Sequence, residues 1–139
     1  MTALRQYLGV WQMPGGRVLI TDVCVPISRL ADCLLETRAD LDASWLTSTI
    51  AGHVGDGNFH CFIVIDPNKP EDTQEAERLH HLMARRAIAM EGTCTGEHGI
   101  GQGKRDLLEE ELGDALPMMR AIKAALDPKG LMNPGKIFI

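Results

Sequence analysis

The run His53-Val54-Gly55-Asp56-Gly57-Asn58-Phe59-His60 predicts a chain reversal between two apolar, β-prone segments. Asp56-Gly57 is a two-residue hairpin signal, because both central positions of a type I′ turn take positive φ. A reversal there pairs 55 with 58, 54 with 59 and 53 with 60. His53 and His60 then face each other across the two strands, with Cβ atoms ~5 Å apart. On one uninterrupted strand, residues seven apart would point to opposite faces. The turn is what brings the imidazoles together.

Outward from this turn the pattern is mixed α and β, without repeats. A strand over about Leu46–Ala51 enters the reversal, and one over Phe59–Ile65 leaves it. Upstream, Val18–Val25 reads as a strand ended by Pro26. Ser28 can cap a helix whose apolar positions Ile27, Leu30, Ala31, Leu34, Leu35 and Leu41 follow helical spacing. Downstream, the breakers of Asp66-Pro67-Asn68-Lys69-Pro70 precede a long helix, about Glu71–Met90, with Ala76, Leu79, Met83, Ala87 and Met90 on one face. His80 and His81 read as solvated surface of that helix. A short helix near Arg105–Leu112 follows, then one over Ala115–Leu126 with Met118, Met119, Ile122 and Leu126 inward.

Bulk properties exclude several classes. The 139 residues are one domain's worth of chain, able to bury ~68% of the unfolded surface. A net charge of −5 gives no electrostatic support for nucleic acid or an anionic membrane surface. Cys24, Cys33, Cys61 and Cys94 form no CxxC pair, so they read as free thiols in a reducing compartment. No apolar run approaches the ~20 residues of a membrane span. Residues 1–21 carry Arg5 and Arg17 and no acid, a weakly transit-like start that Pro14-Gly15-Gly16 interrupts. Gly99-Ile100-Gly101-Gln102-Gly103-Lys104 is neither a P-loop nor a dinucleotide fingerprint, since His98, Lys104 and Arg105 occupy the wrong positions.

Three of the five histidines, His53, His60 and His98, sit in glycine-rich segments, and Glu97 lies in the second of these, Gly96-Glu97-His98-Gly99. Glycine there marks positive φ or close backbone approach to a ligand. Two imidazoles and one carboxylate are the ligand count of catalytic zinc-type sites with an open position. The same histidines also fit a purely structural pair, each ring hydrogen-bonded to backbone.

The series Thr21-Asp22-Val23-Cys24-Val25-Pro26-Ile27-Ser28-Arg29-Leu30, Gly52–His60, Gly92–Gly101 and Leu126–Lys136 resembles the C-terminal domain of FAD-linked D-2-hydroxyacid dehydrogenases of the vanillyl-alcohol-oxidase type. Within that family the motifs most resemble the mitochondrial-type D-lactate dehydrogenase branch. The resemblance covers residues 21–139, with 1–20 a divergent lead-in. It implies an α+β fold, an antiparallel sheet with helices packed on one face. It also implies metal ligation by His53, His60 and Glu97, with zinc or manganese as the ion. His98 becomes the general base, Asn58 a substrate contact, and Asn133 a residue approaching the flavin of FAD. A small 2-hydroxy acid is the implied substrate, and the location is mitochondrial in a eukaryote or cytoplasmic in a bacterium. The family's FAD-binding domain is not found in these residues, so the flavin partner is expected in trans or from restored sequence. Two rivals stay open: a truncated gene product that binds metal and catalyses nothing, and a metal-dependent hydrolase with water in the open position.

Overall fold

A computed structural model describes residues 14–138. It has two compact units, one reaching to Glu97 and one starting at His98. Residues 1–13 of the expected lead-in lie outside the described residues, and the rest of it runs into the first strand.

The first unit is built around one central strand. Among the described residues four strands occur: β1 (Arg17–Ile20), β2 (Val23–Cys24), β3 (Ser48–His53) and β4 (Asn58–Ile65). All three partners of β4 are antiparallel to it, β1 and β2 together on one edge and β3 on the other. β1 and β2 keep one register against β4, from Arg17↔Ile65 to Cys24↔Asn58. The expected single strand over Val18–Val25 is therefore present but interrupted at Thr21-Asp22. Its cause is local: the Cys61 amide donates to the Thr21 hydroxyl at 3.0 Å, while the Thr21 amide donates to the Cys61 carbonyl at 2.9 Å. A side-chain oxygen takes the place of a ladder carbonyl, so the bonding continues while the regular strand does not.

Alternation along β4 separates core from site. Phe59, Cys61, Ile63 and Ile65 are buried, and Cys61 Sγ lies 3.2 Å from Met83 Sδ of the long helix. That row faces the helices. Asn58, His60, Phe62 and Val64 point to the opposite face, which carries the candidate site.

Among the described residues of this unit, two helices cover the core. Helix α1 spans Ile27–Ala43 and starts one residue before the expected Ser28 cap. Pro26 fixes φ there, and its carbonyl accepts the Arg29 amide at 2.8 Å, so the first turn forms without a side-chain cap. Its buried stripe is Leu30, Cys33, Thr37 and Leu41, whereas Ile27 and Leu35, expected on the inner face, are exposed. Helix α2 spans Pro70–Ala89 with Pro at its first turn and Glu71 and Asp72 near its positive end. Ala76, Leu79, Met83 and Ala87 are buried as their spacing predicts. Arg86 of α2 donates to Glu36 at 2.8 Å and Thr37 at 3.0 Å, and pairs with Asp40, tying the two helices.

The second unit holds α3 (Arg105–Leu112) and α4 (Leu116–Leu126), joined by a 3-10 turn at Gly113–Ala115. The expectation that Met118, Ile122 and Leu126 point inward is corrected: all three are exposed. Helical spacing identifies an apolar face but not what covers it. Asp127 closes α4. It accepts the Leu131 and Met132 amides at 2.8 Å each and pairs with Lys123. No helix among the described residues is long and apolar enough to cross a membrane.

Candidate metal centre

The reversal differs from the two-residue hairpin predicted for it. β3 and β4 pair His53 with Asn58 and Ala51 with His60. The connection is four residues long, a 3-10 turn at Val54–Asp56 closed by Gly57 in the left-handed region at φ 73°. Asp56 is not at positive φ, which a type I′ turn needs at both central positions. The register is thus two residues away from the expected one. Side-chain direction alternates every residue, so a slip of two keeps every side chain on its face. His53 becomes the diagonal neighbour of His60, and the rings still meet edge to face with centroids 6.0 Å apart.

Glu97 reaches this pair from the glycine-rich segment. Thr93 and Cys24 exchange backbone hydrogen bonds of 2.8 and 3.2 Å, which anchor that segment to the edge of the sheet. Glu97 Oε1 lies 3.0 Å from His60 Nε2 and 3.9 Å from His53 Nε2. One donor atom from each of the three residues falls within 4.8 Å of the others. Ligands held about 2.1 Å from an ion stand about 3–3.5 Å apart, so the donor set fits a divalent cation with little movement. His60 is buried, while His53 and Glu97 are exposed. Such a site has a fixed floor and an open side.

Asn58 shares the face of His60 and is buried. Its amide packs directly on Gly96, where a Cβ would stand 2.4 Å from the Asn58 side-chain oxygen. That oxygen has no hydrogen-bond partner among the described residues. His98 is exposed; it follows Glu97 directly and begins the second unit. Asn133 also belongs to the second unit, exposed and at φ 48°, a left-handed conformation that Asn tolerates better than most residues.

One residue of this region was missed from sequence. Asp22 is 1% exposed. Its Oδ2 accepts the Thr95 hydroxyl at 3.0 Å and the Glu97 amide at 2.9 Å, and its Oδ1 stands 3.6 Å from His60 Nδ1. The signal was a carboxylate inside an apolar strand pattern, which is costly to bury without partners. The four cysteines are free thiols. Burial pushes the Cys61 thiol up to about 12, and burial first, then the Asp22 and Asp56 charges, raises Cys24. Neither has the depressed pKa of a reactive thiolate.

The sequence model of FAD linked oxidases, C-terminal domain, matches residues 2–137. The probable mitochondrial D-lactate dehydrogenase of Danio rerio is 58% identical over 94% of this chain and 27% of its own length. The mitochondrial D-lactate dehydrogenase (cytochrome) of Arabidopsis thaliana is 54% identical over 89% of this chain and 22% of its own length. The D-2-hydroxyglutarate dehydrogenase of Xanthomonas citri pv. viticola is 35% identical over 84% of this chain and 26% of its own length. This chain spans about a quarter of the length of the relatives it matches. With a match running almost end to end, the chain belongs to the FAD-linked oxidases as their C-terminal domain.

Proposed function

We propose that this domain is the metal-bearing substrate domain of an FAD-dependent D-2-hydroxyacid dehydrogenase acting on D-lactate. The observation that carries the reading is the convergence of His53, His60 and Glu97 on one exposed point of the sheet. A divalent ion there, zinc or manganese, supplies polarisation of the substrate hydroxyl. FAD, held mostly by the family's flavin-binding domain, supplies the hydride acceptor.

The chain's own residues do the rest. His98 accepts the hydroxyl proton on its imidazole, the side chain most often used as a general base. Asn58, buried against Gly96, orients the small hydroxy acid with its side-chain amide. Asn133, which is exposed, is assigned the approach to the flavin. The mitochondrial names of two relatives support a mitochondrial location for the protein that contains this domain.

Two measurements test the reading. Native mass spectrometry of the chain with Zn²⁺ or Mn²⁺ is expected to show one ion per chain, and a chain that retains none would remove the metal assignment. The second replaces the corresponding segment of the Danio rerio relative with this chain and follows D-lactate-dependent dye reduction. Activity that falls by ~10²–10⁴ in His98→Gln supports the base, and an inactive chimera that folds and holds FAD refutes the substrate assignment.

A further inference from the structure

We propose that Asp22 is a positioning residue of this centre: it holds the Nδ1 side of His60, so that Nε2 faces Glu97, and it fixes the Glu97 backbone with its other oxygen. The inference rests on the metal reading above and extends it to a residue outside the donor set.

The placement follows from strand register. β1 and β2 pair with β4 in one frame, Ile20↔Phe62 on one side of the interruption and Val23↔Phe59 on the other. Continuing that frame puts Asp22 directly opposite His60. Thr21 and Cys61 exchange hydrogen bonds, so the next pair, Asp22 and His60, is of the non-hydrogen-bonded kind, whose side chains approach most closely. The break in the strand therefore falls where a carboxylate is set against the imidazole.

The geometry gives Asp22 two tasks. His60 presents Nε2 to Glu97 Oε1 at 3.0 Å and Nδ1 to Asp22 Oδ1 at 3.6 Å, an electrostatic approach just beyond hydrogen-bond length. A neutral imidazole has one protonated and one bare nitrogen. For Nε2 to offer its lone pair, the proton must sit on Nδ1, the side that Asp22 faces. A carboxylate or carbonyl in that position is the usual device that fixes the tautomer and orientation of a metal-binding histidine. The His60 side chain is 9% exposed and lies edge-on to His53 and Phe62, which leaves the ring little room to turn. Asp22 Oδ2 accepts the Glu97 amide at 2.9 Å and the Thr95 hydroxyl at 3.0 Å. One buried carboxylate thus orders a side-chain donor from the sheet and a backbone donor's residue from the loop.

The test pairs Zn²⁺ calorimetry on the wild type and Asp22→Asn with long-range ¹H–¹⁵N NMR of the histidine rings in metal-free Glu97→Ala and its Asp22→Asn double variant. Removing Glu97 takes away the carboxylate 3.0 Å from His60 Nε2, which otherwise favours a proton on that nitrogen when no ion is bound. Where the spectra show a neutral ring, Glu97→Ala is expected to hold His60 as the Nδ1–H tautomer, and the double variant to lose that preference. Asp22→Asn is expected to weaken Zn²⁺ about 10–100-fold. An unchanged tautomer with unchanged affinity overturns the inference while leaving the metal reading intact. If the wild type binds no Zn²⁺, the metal reading fails, and the tautomer in the metal-free pair decides the role of Asp22 alone. Should the Asp22 variants fail to fold, Glu97→Ala decides: an Nε2–H tautomer for His60 overturns the proposal, and Nδ1–H supports it.

Discussion

Gly96 and Asn58 are in direct contact: a Cβ on Gly96 would lie 2.4 Å from the Asn58 side-chain oxygen and 2.6 Å from the carbon that bears it. Gly96 is not at positive φ, so a side chain there is opposed by space alone. Gly96→Ala is expected to push the Asn58 amide aside or lift Glu97, with a stability loss of about 1–3 kcal/mol from overpacking. Zn²⁺ affinity should fall by on the order of 10-fold, since Glu97 is the next residue. Combining Gly96→Ala with Asn58→Ala removes the clash and should recover part of the stability. Strictly additive losses in that double-mutant cycle would show that the contact carries no coupling.

Gly57 is required for two reasons at once. It takes φ 73°, and a Cβ there would stand 2.1 Å from the Val25 carbonyl oxygen. That obstacle is backbone, which cannot swing away like the end of a side chain, and Val25 is further held by its 3.0 Å hydrogen bond to the Gly57 carbonyl. Gly57→Ala should cost more than about 2 kcal/mol, combining left-handed strain and overpacking. Urea unfolding measures it, and an unshifted midpoint would contradict this account of the turn.

The same turn shows what the sequence made legible. Asp56-Gly57 located the reversal correctly but not its length, because a dipeptide does not reveal whether Asp56 will accept positive φ. The two-residue error in register did no harm to the grouping of His53 with His60, since strand parity survives an even slip. In α2 the apolar stripe matches the burial of Ala76, Leu79, Met83 and Ala87, and Met83 meets Cys61 of β4. In α4 the equivalent reading of Met118, Ile122 and Leu126 failed, because a stripe carries no information about its partner. Asp22 escaped notice for a different reason: its partners Thr95 and Glu97 are more than 70 residues away in sequence, and only the folded register brings it to His60.

His53 and His60 differ in exposure, and their substitutions should differ accordingly. His53 is exposed, so His53→Ala is expected to weaken Zn²⁺ by on the order of 100-fold or more while the metal-free melting temperature stays nearly constant. His60 is buried between strands, so His60→Ala should lose the ion and also lower stability, since truncation leaves a cavity beside Asp22. Calorimetry with parallel thermal melts separates the two. Full Zn²⁺ affinity in either variant would remove that residue from the donor set.

Asp127 gives the second unit an acid-sensitive lock. Its carboxyl is held below the usual range first by the Lys123 ammonium, then by the Met132 and Leu131 amides, against the opposing effect of burial. A carboxylate with a depressed folded-state pKa contributes stability that is fully present above its unfolded value, ~3.9. The contribution is lost as pH falls through the lower folded value. The segment it anchors runs from Leu131 and Met132 toward Asn133, and Lys123 also donates to the Met132 carbonyl at 2.7 Å. The Leu131 and Met132 amide proton shifts are therefore expected to hold constant from neutral pH down to about 4 and to move together below it. In Asp127→Asn the low-pH transition should vanish and Lys123 should lose its ion pair. Amide shifts that titrate at or above the unfolded carboxyl value would show that the lock does not favour the charged form.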